Sequence, residues 1–323
     1  GSRIGDHAGF EVLDRALELG VFHWDTACSY NLGSGNCERL MGRYFSSRDR
    51  SVREQVVLAT KIHNPVRDEH QMEAEFTPNQ RGTSRAYIRF AVDKCLERLQ
   101  TDHIDLLYIH QDGVEEDGEY RVPLEETWGA FDDVISQGKV HYVAVSNHSA
   151  EKMGNAVETM AKVGKDGSRN ITAIQNRYNL LERDAVACEE GGKEADLMKA
   201  VEKAGVGLIP FYPLASGMLT GRYRKDSLDS ASGRIIDDGT QDEFLTEANL
   251  NAVEGLIKVA EGKGMSLAQL AIAWMLQNPL IPSVIAGVTK MEQLEDNVKA
   301  AQVELSEDDL DQIDEILKDA QGS

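Results

Sequence analysis

No apolar run in the chain approaches the ~18 residues that a membrane-spanning helix requires. The first residues lack the positively charged, apolar and small-residue order of a secretory leader. Both absences lead us to expect a cytoplasmic protein with no membrane contact. Basic residues are also in short supply. Lys and Arg number 34 against 55 Asp and Glu, which leaves a formal net charge of −21 over 323 residues. A field of that sign repels nucleic acid and anionic membrane. It suits a salt-rich cytoplasm as well as an ordinary one, and a phosphate-bearing ligand needs a local basic patch against it. Cysteine is scarce: Cys28, Cys37, Cys95 and Cys188 form no CxxC pair and have no zinc-ligand spacing, so no metal site is expected from them. Cys95 falls on an apolar helix face. Cys28 reads as a small filler rather than a catalytic thiol, because no base is positioned for it. A complete dinucleotide fingerprint is missing as well. Gly33-Ser-Gly35-Asn-Cys-Glu38 lacks the third glycine and does not directly follow a strand, which leaves a helix-opening loop. With no internal repeat and no low-complexity linker, residues 1–323 read as one domain.

What is present is alternation. Hydrophobic residues make up 41% of the chain, enough for a sizeable core. Strand patterns are expected at 21–25, 56–61, 104–110, 140–145, 171–175, 206–211 and 281–286. Helical stripes separate them, such as Ile88, Ala91, Val92, Cys95, Leu96 and Leu99. Ser266-x-x-Gln269 has the form of a capping box, and Ser306-x-x-Asp309 resembles a cap for the last helix. Repeated strand–helix units imply a parallel sheet covered by helices. A closed eight-stranded barrel and an open doubly wound sheet both satisfy that pattern. Long polar loops are expected at 63–84, 111–123 and 216–245, and loops of that length in a compact domain are usually functional or disordered. The acidic run Glu115 to Glu119 reads as a solvated loop that could rim a substrate pocket.

Polar residues recur at the strand ends. Asp25 closes the first visible strand, with Tyr30 five residues on. Lys61 closes the second and His110 the third. In a parallel barrel these ends converge on the face where barrel enzymes place their active sites. Each residue alone is readily structural; four from consecutive strands are hard to explain as packing. The chemistry that fits is proton donation to a carbonyl. An unperturbed tyrosine has a pKa of ~10, poorly matched to neutral pH. A nearby ammonium stabilises tyrosinate and is expected to lower that value. A carboxylate holds the ammonium in place, and a histidine orients the substrate oxygen.

Trp24-Asp25-Thr26-Ala27-Cys28-Ser29-Tyr30 resembles the DTAxxY signature of aldo-keto reductases. Ala59-Thr60-Lys61 and Asp105-Leu-Leu-Tyr-Ile-His110 resemble that family's lysine and histidine segments. The segments 38–42, 79–85 and 99–110 look most like the branch that contains bacterial oxidoreductases and potassium-channel β subunits. The resemblance runs from about Phe10 to Ala301, with the motifs in the family's order. It implies an α/β fold of the (β/α)8 TIM-barrel type and NADP(H), rather than NAD(H), as hydride donor. It also implies that Ser146, Asn147 and Gln175 hold the nicotinamide carboxamide and that Phe211 stacks on the ring. The run Phe211-Tyr212-Pro213-Leu214-Ala215-Ser216-Gly217, continuing through Leu219 to Gly221, is similar to the family's pyrophosphate loop; its glycines let backbone amides approach phosphate. Tyr212 stands where serine is usual. Gly287, Thr289, Lys290, Gln293, Asp296 and Asn297 resemble the adenosine-phosphate site. Lys290 could meet a 2′-phosphate at a helix start, but its bland alternative is a solvated residue, and Gln293 replaces a common arginine.

Seven strands are visible where the barrel needs eight. The family's N-terminal hairpin and first strand have no counterpart before His7, so a barrel outline with an open seam is expected. The leading function is NAD(P)H-dependent reduction of an aldehyde or ketone: Tyr30 as general acid, Lys61 tuning it, Asp25 pairing Lys61, and His110 orienting the oxygen. The partner is then a small carbonyl compound, and the oligomeric state stays open. The alternative is a cofactor-holding binding protein similar to potassium-channel β subunits. An open-sheet dehydrogenase is disfavoured by the missing fingerprint.

Overall fold

The computed structural model describes residues 4–31, 33–66, 78–113, 121–183 and 194–321. The acidic run at 115–119 and Cys188 lie outside them. The chain divides into two compact units: residues 1–175 with 186–207, and residues 176–185 with 208–323.

The first unit is built on strand–helix alternation. Helix α1 (Asp6–Glu18) precedes strand β1 (His23–Asp25). Helices α2 (Asn36–Ser46) and α3 (Arg50–Glu54) lead to β2 (Val57–Ile62). Helix α4 (Arg85–Leu99), β3 (Ile104–Ile109), α5 (Leu124–Ser136), β4 (Val140–Ser146), α6 (Ala150–Val163), β5 (Ile171–Gln175) and α7 (Glu194–Ala204) follow in turn. With the two-residue β6 (Gly207–Leu208), the strands form one sheet in sequence order. The pairs β1 to β5 are parallel, in registers such as Asp25↔Ala59, Lys61↔Tyr108, Ile109↔Val145 and Ser146↔Gln175. Strands of a parallel sheet covered by helices become nearly continuous apolar runs. Leu58, Ala59, Leu107, Val143, Ala144, Val145, Ile171 and Ile174 accordingly lose almost all exposure. Successive helices α4, α5, α6 and α7 neighbour one another outside the sheet. Ser84 and Ser149 cap α4 and α6 by accepting from Tyr87 N and Lys152 N, satisfying amides the helix itself cannot.

Gly42 sets how closely α2 approaches α4, since a Cβ there would fall 2.1 Å from the Arg98 carbonyl oxygen. Gly35, the N-cap of α2, has φ +68, so the glycine-rich segment is the helix-opening loop expected.

The second unit carries short helices α8 (Arg234–Asp237) and α9 (Gln241–Phe244), then α10 (Glu247–Gly262), α11 (Leu267–Leu276), α12 (Met291–Lys299) and α13 (Glu307–Gln321). Both serine caps form as expected. Ser266 accepts from Gln269 N while the Gln269 side chain accepts from Ser266 N, and Asp309 N donates to Ser306 Oγ.

Three expectations fail. The strand expected at 281–286 is reduced to one parallel bridge, Phe211↔Ile285, supported by Ile285 N donating to Pro210 O at 2.9 Å. The strand expected at 206–211 stops at Leu208 for a related reason: Pro210 and Pro282 have no N–H to extend a ladder. The loop expected at 216–245 is not structureless. It contains 3-10 turns at Ala215–Thr220 and Lys225–Ser230 together with α8 and α9, because Met218, Leu219, Tyr223, Ile235 and Phe244 are buried and anchor it. Among the described residues, no helix is long and apolar enough to cross a membrane.

Candidate active site

Five consecutive parallel strands of the first unit each carry a polar residue at or next to the C-terminal end. Asp25 closes β1, Lys61 lies one residue before the end of β2, His110 follows β3, Ser146 closes β4 and Gln175 closes β5. Tyr30 is brought back to them by a turn in which its N–H donates to Ala27 O at 3.2 Å.

Lys61 is the centre of the cluster. Its side chain is 1% exposed, and its ammonium donates to Asp25 Oδ1, to Thr26 O at 2.9 Å and to Tyr30 Oη at 3.0 Å. Burial favours the neutral amine. The Asp25 carboxylate and Tyr30 outweigh it and hold Lys61 above its ordinary pKa, so it stays charged. Asp25 uses its second oxygen to accept from Gln175 Nε2 at 2.8 Å. Gln175 O in turn accepts from Ser146 Oγ at 2.8 Å and Asn147 N at 3.1 Å, and Asn147 Nδ2 donates to His110 O at 2.8 Å. One hydrogen-bonded chain therefore runs from His110 through Asn147, Gln175, Asp25 and Lys61 to Tyr30. Asn147 holds its place at φ +56, a left-handed conformation that surrounding bonds must sustain.

The sequence shows the residue types but not the Gln175–Asp25 bond, which joins positions 150 residues apart. It also misses the support beneath. Thr60, next to Lys61, donates to buried Glu38 at 2.6 Å, and Arg98 Nε donates to the other Glu38 oxygen at 2.6 Å.

The tyrosine departs from expectation. Burial pushes the Tyr30 phenol above its ordinary value, and the Lys61 ammonium only partly pulls it back. Desolvation of the phenolate exceeds the attraction of a cation that Asp25 already neutralises. Tyr30 is therefore a proton holder in this structure. His110 contacts Ser29 Oγ through Nδ1 at 3.5 Å, and its ring meets Tyr30 edge-on at 6.0 Å. Burial first, and then the Lys61 charge, depress its pKa to about 4, so the imidazole is neutral. Cys28 is buried and its thiol is pushed up to about 12, which makes it inert filler.

His148 is also buried, its pKa likewise lowered to about 4 by desolvation. An unfolded imidazole titrates near ~6.5. Between that value and about 4 the unfolded chain binds protons that the folded chain refuses. The contribution of His110 and His148 to stability is then complete above pH ~6.5 and is lost as pH falls towards 4. Melting curves at pH 7.5 and 5.0 should show the lower midpoint at pH 5.0; an equal or higher one would contradict neutral, buried imidazoles.

The remaining candidate residues lie in the second unit. Phe211 is half-buried and its ring meets Tyr212 at 5.4 Å. From there to Gly221 the backbone repeatedly turns left-handed: Tyr212 at φ +55, Ala215 at +45, Ser216 at +55, Gly217 at +102 and Gly221 at +73. Three non-glycine residues in that region within one loop store strain, and the N–H groups of Ala215, Gly217, Leu219 and Gly221 donate to carbonyls of the loop itself. Pro213, Ala215 and Leu219 are buried and Leu214 is half-buried, fixing the loop from below. Tyr212, where serine is usual, has its own work. Its hydroxyl accepts from Arg234 Nη2 at 2.9 Å, and the Arg177 and Arg234 guanidiniums lie 5.2 and 4.8 Å from its ring.

Gly287 and Thr289 are exposed and precede α12, and Lys290 is exposed at its N-cap. Gln293 folds back to accept from Thr289 N at 2.8 Å and Lys290 N at 3.1 Å, so the side chain caps this turn. Asp296 accepts from Ser266 Oγ at 2.7 Å and Gln269 Nε2 at 2.6 Å, anchoring α12 to α11, and Asn297 is half-buried beside it.

Residues 2–318 match the family model described as the aldo/keto reductase family. The chain belongs to the aldo/keto reductase family. Among its relatives is the L-glyceraldehyde 3-phosphate reductase of Escherichia coli K12, 31% identical over 96% of this chain and 84% of that protein. An uncharacterized oxidoreductase, YrpG, of Bacillus subtilis is 31% identical over 97% of this chain and 87% of its own length. A probable voltage-gated potassium channel subunit beta of Arabidopsis thaliana is 30% identical, covering 94% and 84%. Both branches suggested by the motifs, oxidoreductases and channel subunits, are thus among the relatives of this aldo/keto reductase. Its general chemistry is that of its family, oxidation and reduction at carbonyl groups.

Proposed function

We propose that the protein is an NADP(H)-dependent aldo/keto reductase that reduces an aldehyde or ketone to an alcohol, with Tyr30 as general acid. The observation that carries the reading is the Lys61 ammonium, buried and shared between Asp25 and the Tyr30 hydroxyl. Such a contact is idle in a purely structural role, yet it stabilises the phenolate left once a proton departs. The reading treats residues 1–323 as one domain of (β/α)8 barrel topology, in keeping with a family match over residues 2–318 and four parallel strand registers in sequence order.

The residues fit a nicotinamide dinucleotide. Amide and hydroxyl groups of Ser146, Asn147 and Gln175 match a carboxamide in kind. Phe211 offers an aromatic face, and the left-handed backbone from Tyr212 to Gly221 suits a pyrophosphate. Lys290 is the group for a 2′-phosphate, with Gly287, Thr289, Gln293, Asp296 and Asn297 shaping the turn around it. When bound, the cofactor supplies a hydride to the carbonyl carbon. Tyr30 gives its proton to the carbonyl oxygen, and Lys61 stabilises the resulting phenolate. Asp25 keeps Lys61 charged and in place, and Gln175 fixes Asp25. Neutral His110, in the tautomer whose Nδ1 accepts from Ser29 Oγ, would present its Nε2 hydrogen to the same oxygen and orient it. The raised Tyr30 pKa keeps the donor protonated at neutral pH, as reduction needs.

The test is a panel of aliphatic, aromatic and sugar aldehydes and ketones with NADPH and with NADH, followed at the nicotinamide absorbance. We expect turnover with at least one aldehyde class and a preference for NADPH. Tight dinucleotide binding with no oxidation across the panel would instead favour a cofactor-holding partner protein, as the channel-subunit relatives suggest.

A further inference from the structure

At the opposite end of β3 and β4 from His110 lies a second group of polar side chains. His103 precedes β3, Asp105 is its second residue, and His141 is the second residue of β4. The parallel pairs Ile104↔Val140 and Leu106↔Tyr142 set Asp105 level with His141. One ligand atom from each of His103, Asp105 and His141 lies within 4.8 Å of the other two. We propose that these three residues form a binding site for a borderline first-row dication, with Zn2+ as the reference ion.

The ligand atoms of Asp105 and the two histidines are closely spaced. His141 Nδ1 is 3.4 Å and His103 Nε2 is 3.8 Å from Asp105 Oδ1. The longer separation exceeds a hydrogen bond. Both are close to the edge of about 3.3–3.6 Å that a tetrahedron with zinc–ligand bonds of about 2.0–2.2 Å requires. The two rings stack at 4.7 Å and 23°, so the half-exposed His141 ring must turn out of the stack for its lone pair to converge with that of His103.

The outer partners leave the right atoms free. His103 Nδ1 is 2.6 Å from Asp102 Oδ1, which fixes the proton on Nδ1 and leaves the Nε2 lone pair facing Asp105. Asp102 is itself anchored by Arg50 at 3.1 Å. Asp105 Oδ2 accepts from Arg53 Nη2 at 2.8 Å and Leu58 N at 2.9 Å, so its remaining oxygen, Oδ1, is the one turned to the histidines. Carboxylate–histidine pairs of this kind orient metal ligands and raise their basicity. Arg50 and Arg53 offset the two carboxylates in charge. Recognition therefore rests on imidazole lone pairs, which favours zinc, nickel or copper over Mg2+ and Ca2+.

Asp105 and His110 are five residues apart on one strand, roughly 16 Å at the usual rise. The ion would staple the starts of β3 and β4 and would be distinct from the reductive cluster.

The test is calorimetric titration of the tag-free chain with Zn2+, with Co2+ visible absorption as a second readout. We expect one saturable site that excess Mg2+ does not displace, and Co2+ bands of the intensity typical of low coordination number. His141→Ala should abolish the site, and Asp102→Asn should weaken it by about 10-fold. Circular dichroism would verify that the variants fold, and the half-exposed His141 is not part of the core. No saturable binding would overturn the proposal. So would undiminished binding in both His103→Ala and His141→Ala, which would assign the ion to the acidic surface, or Co2+–thiolate absorption, which would assign it to a cysteine.

Discussion

Tyr30→Phe is expected to lower kcat for carbonyl reduction by roughly 10²–10⁴-fold while the dinucleotide dissociation constant stays within a few-fold, since general acid catalysis contributes on that scale. Phenylalanine keeps the ring beside Lys61, whose ammonium lies 4.9 Å from the Tyr30 centroid, and removes only the oxygen. Lys61 retains Asp25 Oδ1 and the Thr26 carbonyl as acceptors, so the buried charge is not orphaned and the fold should hold. What disappears is the proton that must reach the carbonyl oxygen and the hydroxyl whose anion Lys61 stabilises. Stopped-flow measurement of cofactor oxidation with a substrate from the panel, beside fluorescence titration of dinucleotide binding, separates the two effects. An unchanged kcat would remove Tyr30 from the chemistry altogether.

Glu38→Ala is expected to destabilise the fold by about 3–5 kcal/mol, the cost of leaving one member of a buried ion pair behind. Glu38 is fully buried, and its carboxylate accepts from both Arg98 and Thr60 at 2.6 Å. Arg98 is only 8% exposed, and after the substitution its guanidinium would retain little beyond the Cys95 sulfur at 3.4 Å. The contrast is Arg43→Ala, which breaks a solvent-exposed pair with Asp6 and should cost far less. Urea midpoints at unchanged m-value read both. The double variant Glu38→Leu with Arg98→Met should recover most of the loss, because apolar replacement of both partners leaves no orphan charge. If Glu38→Ala cost no more than Arg43→Ala, the pair would not be the support beneath Lys61 that its burial indicates.

The fold was legible where strands are regular. The expected strands at 104–110, 140–145 and 171–175 match β3, β4 and β5 within one residue, because apolar runs between helical stripes leave few alternatives. It was illegible where backbone donors are missing. Apolar residues at 281–286 look like a strand, but Pro282 on this segment and Pro210 on its neighbour lack the N–H donors a ladder needs, and one bridge forms. The polar segment 216–245 looks like a loop because its anchors, such as Ile235 and Phe244, are too sparse to make a period.

The sequence by itself determined which chemical groups stand at the strand ends. Asp25, Lys61 and His110 close apolar runs, and parallel strands in sequence order must carry such residues to one edge. Tertiary structure decided what those groups do to one another. Whether Tyr30 is raised or lowered depends on the balance between desolvation and a cation already paired with Asp25, and neither burial nor pairing is written in residue spacing. Gln175 meets Asp25, Glu38 meets Arg98 and His141 comes level with Asp105 only through packing and register between distant segments. Local sequence specifies side chains and periods; electrostatics acts through space, across distances that only the folded chain defines.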